Sequence, residues 1–187
     1  DDQKEFERRG LVEAGTSRWV NGSGVELDRF VPAALPGTGS FLLIARLIVD
    51  KGVREYAQAA ARLKARHPSA CFRLVGWFDE NPAALSRAEV DNWVRSRCIE
   101  FLGKLDDVRP AIADSDVYVL PSHRGEGTPR SVLEAMAMGR PIITTDVPGC
   151  RQTVINNGNG FLVPPRDPIA LCEAMERFLD EPGLASR

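Results

Sequence analysis

The sequence predicts an α/β domain built on a Rossmann-like, doubly wound parallel sheet. Three observations predict it. Short apolar runs alternate with amphipathic helical stretches along the chain. The runs are continuous, as in "SFLLIARL" and "DVYVL", which is the pattern of strands buried on both faces. The 187 residues, 43% hydrophobic and 27% charged, have ordinary globular composition and length enough for a real core in one domain.

Taken in order, "DDQKEFERRGLVEAG" reads as the end of a helix stopped near Gly10 or Gly15, so residues 1–16 are expected to close a preceding segment. Residues 17–187 are expected to form the domain. "SRWVNGSGVELDRF" reads as a short strand and a glycine-rich turn, and Pro32 to Gly39 as a Pro/Gly connector. Ser40 to Leu47 is a strand. Lys51 to Arg66 has helical spacing, with Val53, Tyr56, Ala57, Ala60 and Leu63 on one face. Ala70 to Trp77 is a strand, and Pro82 to Arg97 a helix with Pro82 in its first turn. "CIEFLG" is a strand, Asp106 to Ala113 a short helix with two acids at its positive end, and "DVYVLPS" a strand that stops at Pro121. Thr128 as N-cap, Pro129 as first helical residue and Gly139 as stop define the next helix. "RPIITTD" is a strand, Arg151 to Asn157 a short helix, "GFLVPP" a last strand and Pro168 to Asp180 an amphipathic helix.

Composition excludes several functions. A net charge of -2 without a long basic stripe argues against nucleic acid as a partner. Cys71, Cys98, Cys150 and Cys172 are far apart and form no CxxC pair, so zinc spacing is absent. Cys71 and Cys172 read as buried small hydrophobes, and the cysteine usage points to a reducing cytoplasm. No run of 18 apolar residues spans a membrane, and the charged opening has no look of a signal peptide. Peripheral attachment at a membrane surface stays open.

In doubly wound sheets, ligands bind beyond the carboxyl ends of the strands. After the first core strand comes "ARLIVDKG", with Arg46 and Lys51 five residues apart. Two cations at one strand end suit a diphosphate, or are a pair of surface charges. Neither the GxGxxG fingerprint nor a P-loop is present. After "DVYVL" comes "PSHRGEGTPRS", where a helix starts directly behind a strand. The backbone N–H groups around Arg130, Ser131 and Val132 would head that helix as an anion site; Pro129 has none to give. Glu126 precedes the helix start, and Glu134 sits about 7.5 Å along the axis from Pro129. The two carboxylates bracket a space fit for a ligand's phosphates, and a carboxylate can accept from both hydroxyls of a ribose. His123 reads as a surface turn histidine and His67 as a helix-end residue. Asp106, Asp107, Asp114 and Asp116 read as helix-end acids, not a metal cluster.

These pieces carry a resemblance. "GSGVELDRF", "ARLIVDKG", "FLG", "DVYVLPS", "EGTPRSVLEAMAMGRPIITTDVPG" and "NGFLVPPRD" occur in the order found in the C-terminal, donor-binding domain of family 4 retaining glycosyltransferases of the GT-B fold. The resemblance runs from about Ser17 to near the end. It implies that Arg46 and Lys51 hold the diphosphate of a nucleotide sugar, and that Glu134 holds its ribose. It places Glu126, Gly127 and Thr128 against the sugar, with Pro129, Arg130, Ser131 and Val132 near the diphosphate. Gly103, Lys104 and Leu105 would lie beside the base. It implies catalysis without a bound metal or other cofactor, Arg46, Lys51 and the helix start stabilising the leaving diphosphate and Glu126 orienting the sugar. Whether retention uses a carboxylate nucleophile or same-face substitution stays open. The similarity is to bacterial enzymes that build cell-surface polysaccharide, lipopolysaccharide or lipid-linked oligosaccharide, with UDP-sugars placed ahead of GDP-sugars. The glycan or lipid-linked acceptor would bind a second, N-terminal domain that this chain lacks, and the fragment alone would transfer no sugar. "VGWFDEN" departs from the family in placing Trp77 where a small residue is usual. A GT-B nucleotide-sugar epimerase and a non-enzymatic nucleotide-binding module are the alternatives.

Overall fold

Burial drives the framework. Phe41, Leu42 and Leu43, Phe72 and Leu74, Tyr118 and Val119, and Ile142 and Ile143 have almost no exposed surface. Such runs lose water on both faces only inside a sheet covered by helices on each side. The structure, a computed structural model, describes residues 2–18, 22–124, 127–181 and 183–186. Its helices are α1 (Asp2–Arg8), α2 (Val53–Arg66), α3 (Arg87–Arg95), α4 (Arg109–Ala113), α5 (Arg130–Ala137) and α6 (Pro168–Asp180). Its strands are β1 (Ser40–Ile44), β2 (Cys71–Val75), β3 (Glu100–Gly103), β4 (Val117–Leu120), β5 (Ile142–Thr145) and β6 (Gly160–Val163). Every pairing is parallel, in the order β3-β2-β1-β4-β5-β6. The strand order reverses between β1 and β4, so the crevice of a doubly wound sheet opens there. α6 returns from the β6 edge to pack on α2. Phe41 stacks on Phe72 at 5.3 Å between ring centres, and the Tyr56 hydroxyl donates to the Phe41 and Arg73 carbonyls.

The expected strands from β1 to β6 appear in order, most with shorter bounds, and α6 keeps the bounds expected. The first strand ends at Ile44 although the apolar run continues, because Ala45, Leu47 and Ile48 are buried beneath the following loop. A 3-10 turn (Val49–Lys51) and Gly52 intervene before α2 starts at Val53, so Lys51 precedes that helix. α3 starts at Arg87. Asp79 and Asn81 side chains accept from the amides two residues on and hold residues 79–83 in turns, and the Ser86 hydroxyl then caps the helix. Arg151 to Asn157 forms turns where a short helix was expected. Ser17 and Arg18 are not in a strand, and Trp19 to Asn21 lie outside the described residues.

Two buried charges tie the connector to the sheet. Asp116, read from sequence as a helix-end acid, is buried. It accepts from the amides of Gly37 at 2.6 Å, Thr38 at 2.9 Å and Ser40 at 2.9 Å, and from the Ser40 hydroxyl at 3.0 Å. Arg140, also buried, donates to the carbonyls of Ser115, Met138, Ala33 and Ala34. Three segments distant in sequence are thereby fixed below the amino ends of the strands. Cys98, Cys150 and Cys172 are buried, whereas Cys71 is only half-buried, since it faces outward near Glu100.

Candidate functional site at the strand-order reversal

The loops after β1 and β4 are joined. Gly52 has φ +70°, and a Cβ there would lie 1.9 Å from the Pro121 carbonyl oxygen, so only glycine lets the two backbones meet. The Ser122 hydroxyl (3.1 Å) and the His123 amide (2.7 Å) both donate to the Asp50 carbonyl. The Arg124 guanidinium lies 3.6 Å from the Asp50 carboxylate. Lys51, one residue on, is therefore placed by the β4 loop as much as by its own turn.

His123 is not the surface residue expected. Its side chain is 3% exposed, and Nε2 lies 2.9 Å from Oε2 of the largely buried Glu55. The atoms are too poorly aligned for a hydrogen bond, and both ring nitrogens are buried without a hydrogen-bond partner among the described residues. The contact is thus a close approach of ring and carboxylate that packs the β4 loop against the first turn of α2.

Arg46 lies two residues beyond β1, with its guanidinium 3.3 Å from Asp79 and half exposed. Asp79 escaped the sequence reading; its one signal was an acid directly behind "VGWF". The Gly76 backbone abuts the Ala45 carbonyl, and the Leu47 amide donates to the Trp77 carbonyl. The β1 and β2 loops are therefore locked together as well.

At α5, Pro129 itself is the N-cap, with extended backbone and no side-chain cap, and the helix starts at Arg130. Thr128, expected as the cap, instead packs its side chain against Gly22. The Val132 amide donates to the Pro129 carbonyl at 3.2 Å. Of the three amides expected to be free, it is thus committed within the first turn, and Arg130 and Ser131 head the helix. Gly127 is exposed. Glu126 lies outside the described residues, so its bracketing with Glu134 has no geometry here.

Glu134 is 9% exposed. Burial raises its carboxyl pKa above the ordinary value, while Arg130, 3.0 Å away, and more weakly Arg29 pull the other way. Arg29 also acts on Asp107, whose hydrogen bonds from Arg109 hold it at about 2. Asp107 lies in the loop after β3. Gly103, Lys104 and Leu105 enter that loop from the end of β3.

The arrangement gathers Arg46, Lys51, the α5 N-terminus and a buried carboxylate at one sheet edge. Cations and backbone dipoles of this kind can hold a polyanion, and a carboxylate such as that of Glu134 can accept hydroxyl hydrogen bonds. Two cavities of about 560 and 500 Å³ open instead at the amino-terminal end, beside Pro141 and Gly160 and beside Gly39 and Val117. Neither includes the cations of the crevice, so volume does not mark the site. Among the described residues, one group has metal-compatible spacing: His67, Glu176 and Asp180, at the ends of α2 and α6 away from the crevice. There Arg66 already occupies Glu176 with hydrogen bonds of 2.6 and 2.9 Å.

Comparisons with known proteins agree with this architecture. The family described as "Glycosyl transferases group 1" matches residues 38–181. A Campylobacter jejuni N,N'-diacetylbacillosaminyl-diphospho-undecaprenol alpha-1,3-N-acetylgalactosaminyltransferase is 35% identical over 76% of this chain and 36% of its own length. Sucrose-phosphate synthase from Thermosynechococcus elongatus superposes with a TM-score of 0.77 at 30% identity, covering 98% of this chain and 48% of the other. An Anabaena protein solved in complex with UDP gives a TM-score of 0.79 at 20% identity, covering 98% and 53%. The chain spans about a third to a half of the length of the curated relatives it matches first. Its sheet has the Rossmann-like form of the GT-B glycosyltransferases. With that family covering most of the sheet and its crevice, the chain belongs to the group 1 glycosyl transferases.

Proposed function

We propose that this chain is the donor-binding half of a retaining glycosyltransferase that takes a nucleotide sugar, with UDP ahead of GDP. The observation that carries the reading is the locking of the β1 and β4 loops at the strand-order reversal, which ties the turn that carries Lys51 to the loop leading into α5. In it, Arg46, Lys51 and the Arg130–Ser131 amides hold the diphosphate. Glu134 takes the ribose hydroxyls, and the turn from Glu126 to Thr128 meets the sugar. Breaking the bond from the anomeric carbon leaves negative charge on the diphosphate, and these cations and dipoles are aimed where it develops. Charge neutralisation is assigned to the protein, in place of a metal. The UDP-bound Anabaena neighbour supports the nucleotide class, and the Campylobacter relative's name supports a lipid-linked glycan acceptor. The acceptor is assigned to sequence beyond these 187 residues, and the full-length protein to surface-polysaccharide synthesis at the inner face of the plasma membrane.

Calorimetric titration of UDP and GDP into the chain and its Lys51→Ala and Glu134→Ala variants tests the reading. Each substitution is expected to weaken binding about tenfold or more, the scale of one charge-assisted contact. Affinity unchanged in both variants would remove the assignment. Glycosyl transfer by the 187-residue chain alone would contradict the division of labour.

A further inference from the structure

Trp77 is unusual for its place. It is a large aromatic residue, 42% exposed, at the carboxyl end of a strand in an otherwise well-buried sheet. Its backbone is rigid: Gly76 abuts the Ala45 carbonyl, and the Trp77 carbonyl accepts from Leu47 at 3.0 Å. The Lys104 ammonium lies 5.9 Å from the centre of a Trp77 ring, within the range of a cation–π contact. The next residue, Phe78, packs inward against Phe101 and under Arg87, so the loop's hydrophobic anchor is Phe78 and not the tryptophan. Asp79, two residues on, steers Arg46. An exposed indole on fixed backbone, flanked by a cation, is the platform on which flat, electron-poor rings stack.

We propose that Trp77, with Lys104 over one face of its ring, offers the other face as the stacking ledge for the nucleobase of the bound nucleotide. The inference rests on the donor-site reading and adds a residue to it. β2 and β4 flank β1, and two strand spacings separate them by roughly 10 Å. That span suits a nucleoside diphosphate with its base over the β2–β3 corner and its phosphates at the β1–β4 crevice. The ledge is blind to sequence-specific base edges, because every base has a π face. It therefore provides affinity for the nucleoside shared by UDP and GDP, and leaves discrimination between them to the β3 loop.

The test titrates UDP, GDP and inorganic pyrophosphate into the chain and its Trp77→Ala and Trp77→Phe variants. Circular dichroism and the unfolding midpoint serve as fold controls. Trp77→Ala is expected to weaken both nucleotides about tenfold and to leave pyrophosphate within twofold. Trp77→Phe should keep most of the nucleotide affinity. UDP should also quench tryptophan emission in the parent, and the quench should vanish in Trp77→Phe, which retains Trp19 and Trp93. Nucleotide affinity unmoved by Trp77→Ala, or pyrophosphate falling in step with it, overturns the ledge and leaves the donor site standing. A parent chain that binds neither nucleotide overturns both.

Discussion

Glu134 is nearly buried, and its charge works against folding. Burial raises its pKa above the ordinary value near 4.3 in spite of Arg130. The folded state therefore holds that proton more tightly than the unfolded one. The favourable contribution is complete below the ordinary value and is lost as pH rises through the raised one. Ionised Glu134 is a net cost at neutral pH. Glu134→Gln should raise the melting temperature at pH 7, and the gain should shrink toward pH 4. The same change should weaken UDP about tenfold if the ribose reading holds. Melting curves at the two pH values decide the first part; a variant less stable at pH 7 contradicts it. Asp116 has the opposite sign. Burial pushes its pKa up, but hydrogen bonds from Ser40, Gly37 and Thr38 outweigh that and hold it below the ordinary value near 3.9. Its contribution is present above that value and is lost as pH falls through the folded one. Asp116→Ala should cost about 3 kcal/mol at pH 7 by urea unfolding, since charge-assisted bonds to three amides are broken. The penalty should diminish in acid, and a penalty independent of pH would argue for packing alone.

At the scale of elements, the β1 and β4 loops act as one body. Gly52→Ala combines a left-handed φ with a methyl group driven into the Pro121 carbonyl. It should destabilise the chain by about 2–4 kcal/mol and lower pyrophosphate affinity, because Lys51 moves with the loop. A folded variant with parental affinity would show that Lys51 is placed independently. The His123–Glu55 contact joins the β4 loop to α2 from below. Removing one partner strands the other, so His123→Leu alone should cost about 1–3 kcal/mol. Adding Glu55→Leu should recover most of that loss, since an apolar pair suits a site where neither ring nitrogen has a hydrogen-bond partner among the described residues. A double-mutant cycle measures the coupling, and strict additivity would mean that the two groups do not interact.

Across the whole molecule, a ligand that bridges the β2, β1 and β4 loops binds only the folded state. UDP at one hundred times its Kd should therefore stabilise the chain by about 2.7 kcal/mol. Lys51→Ala assayed at that same UDP concentration should lose part of the shift. A UDP-independent melting temperature in the parent would mean that the chain does not bind UDP and would remove the donor-site reading. The architecture behind this was largely legible in the chain. Continuous runs such as Phe41 to Leu43 and Val117 to Leu120 announced buried parallel strands, and α6 kept its expected bounds, Pro168–Asp180, because proline and Asp167 mark its start. Less legible were the ends of elements. Leu47 and Ile48 look like strand but are buried outside it, and Arg151 to Asn157 forms turns because Thr153, Val154, Ile155 and two asparagines are poor helix formers.

By itself, then, the sequence determined the alternation of strands and helices, the family, and the presence of Arg46, Lys51 and Glu134 near strand ends. These follow from local periodicity and from residues close together in the chain. Only the tertiary structure decided that Asp50 meets Ser122, that Asp79 holds Arg46, that His123 is buried against Glu55, and that Trp77 stands exposed beside Lys104. Each of these joins segments 27 to 72 residues apart, or depends on which side of a loop faces water. Such contacts are set by how the strands are ordered in the sheet, and periodicity along one segment carries no record of its neighbours across the crevice.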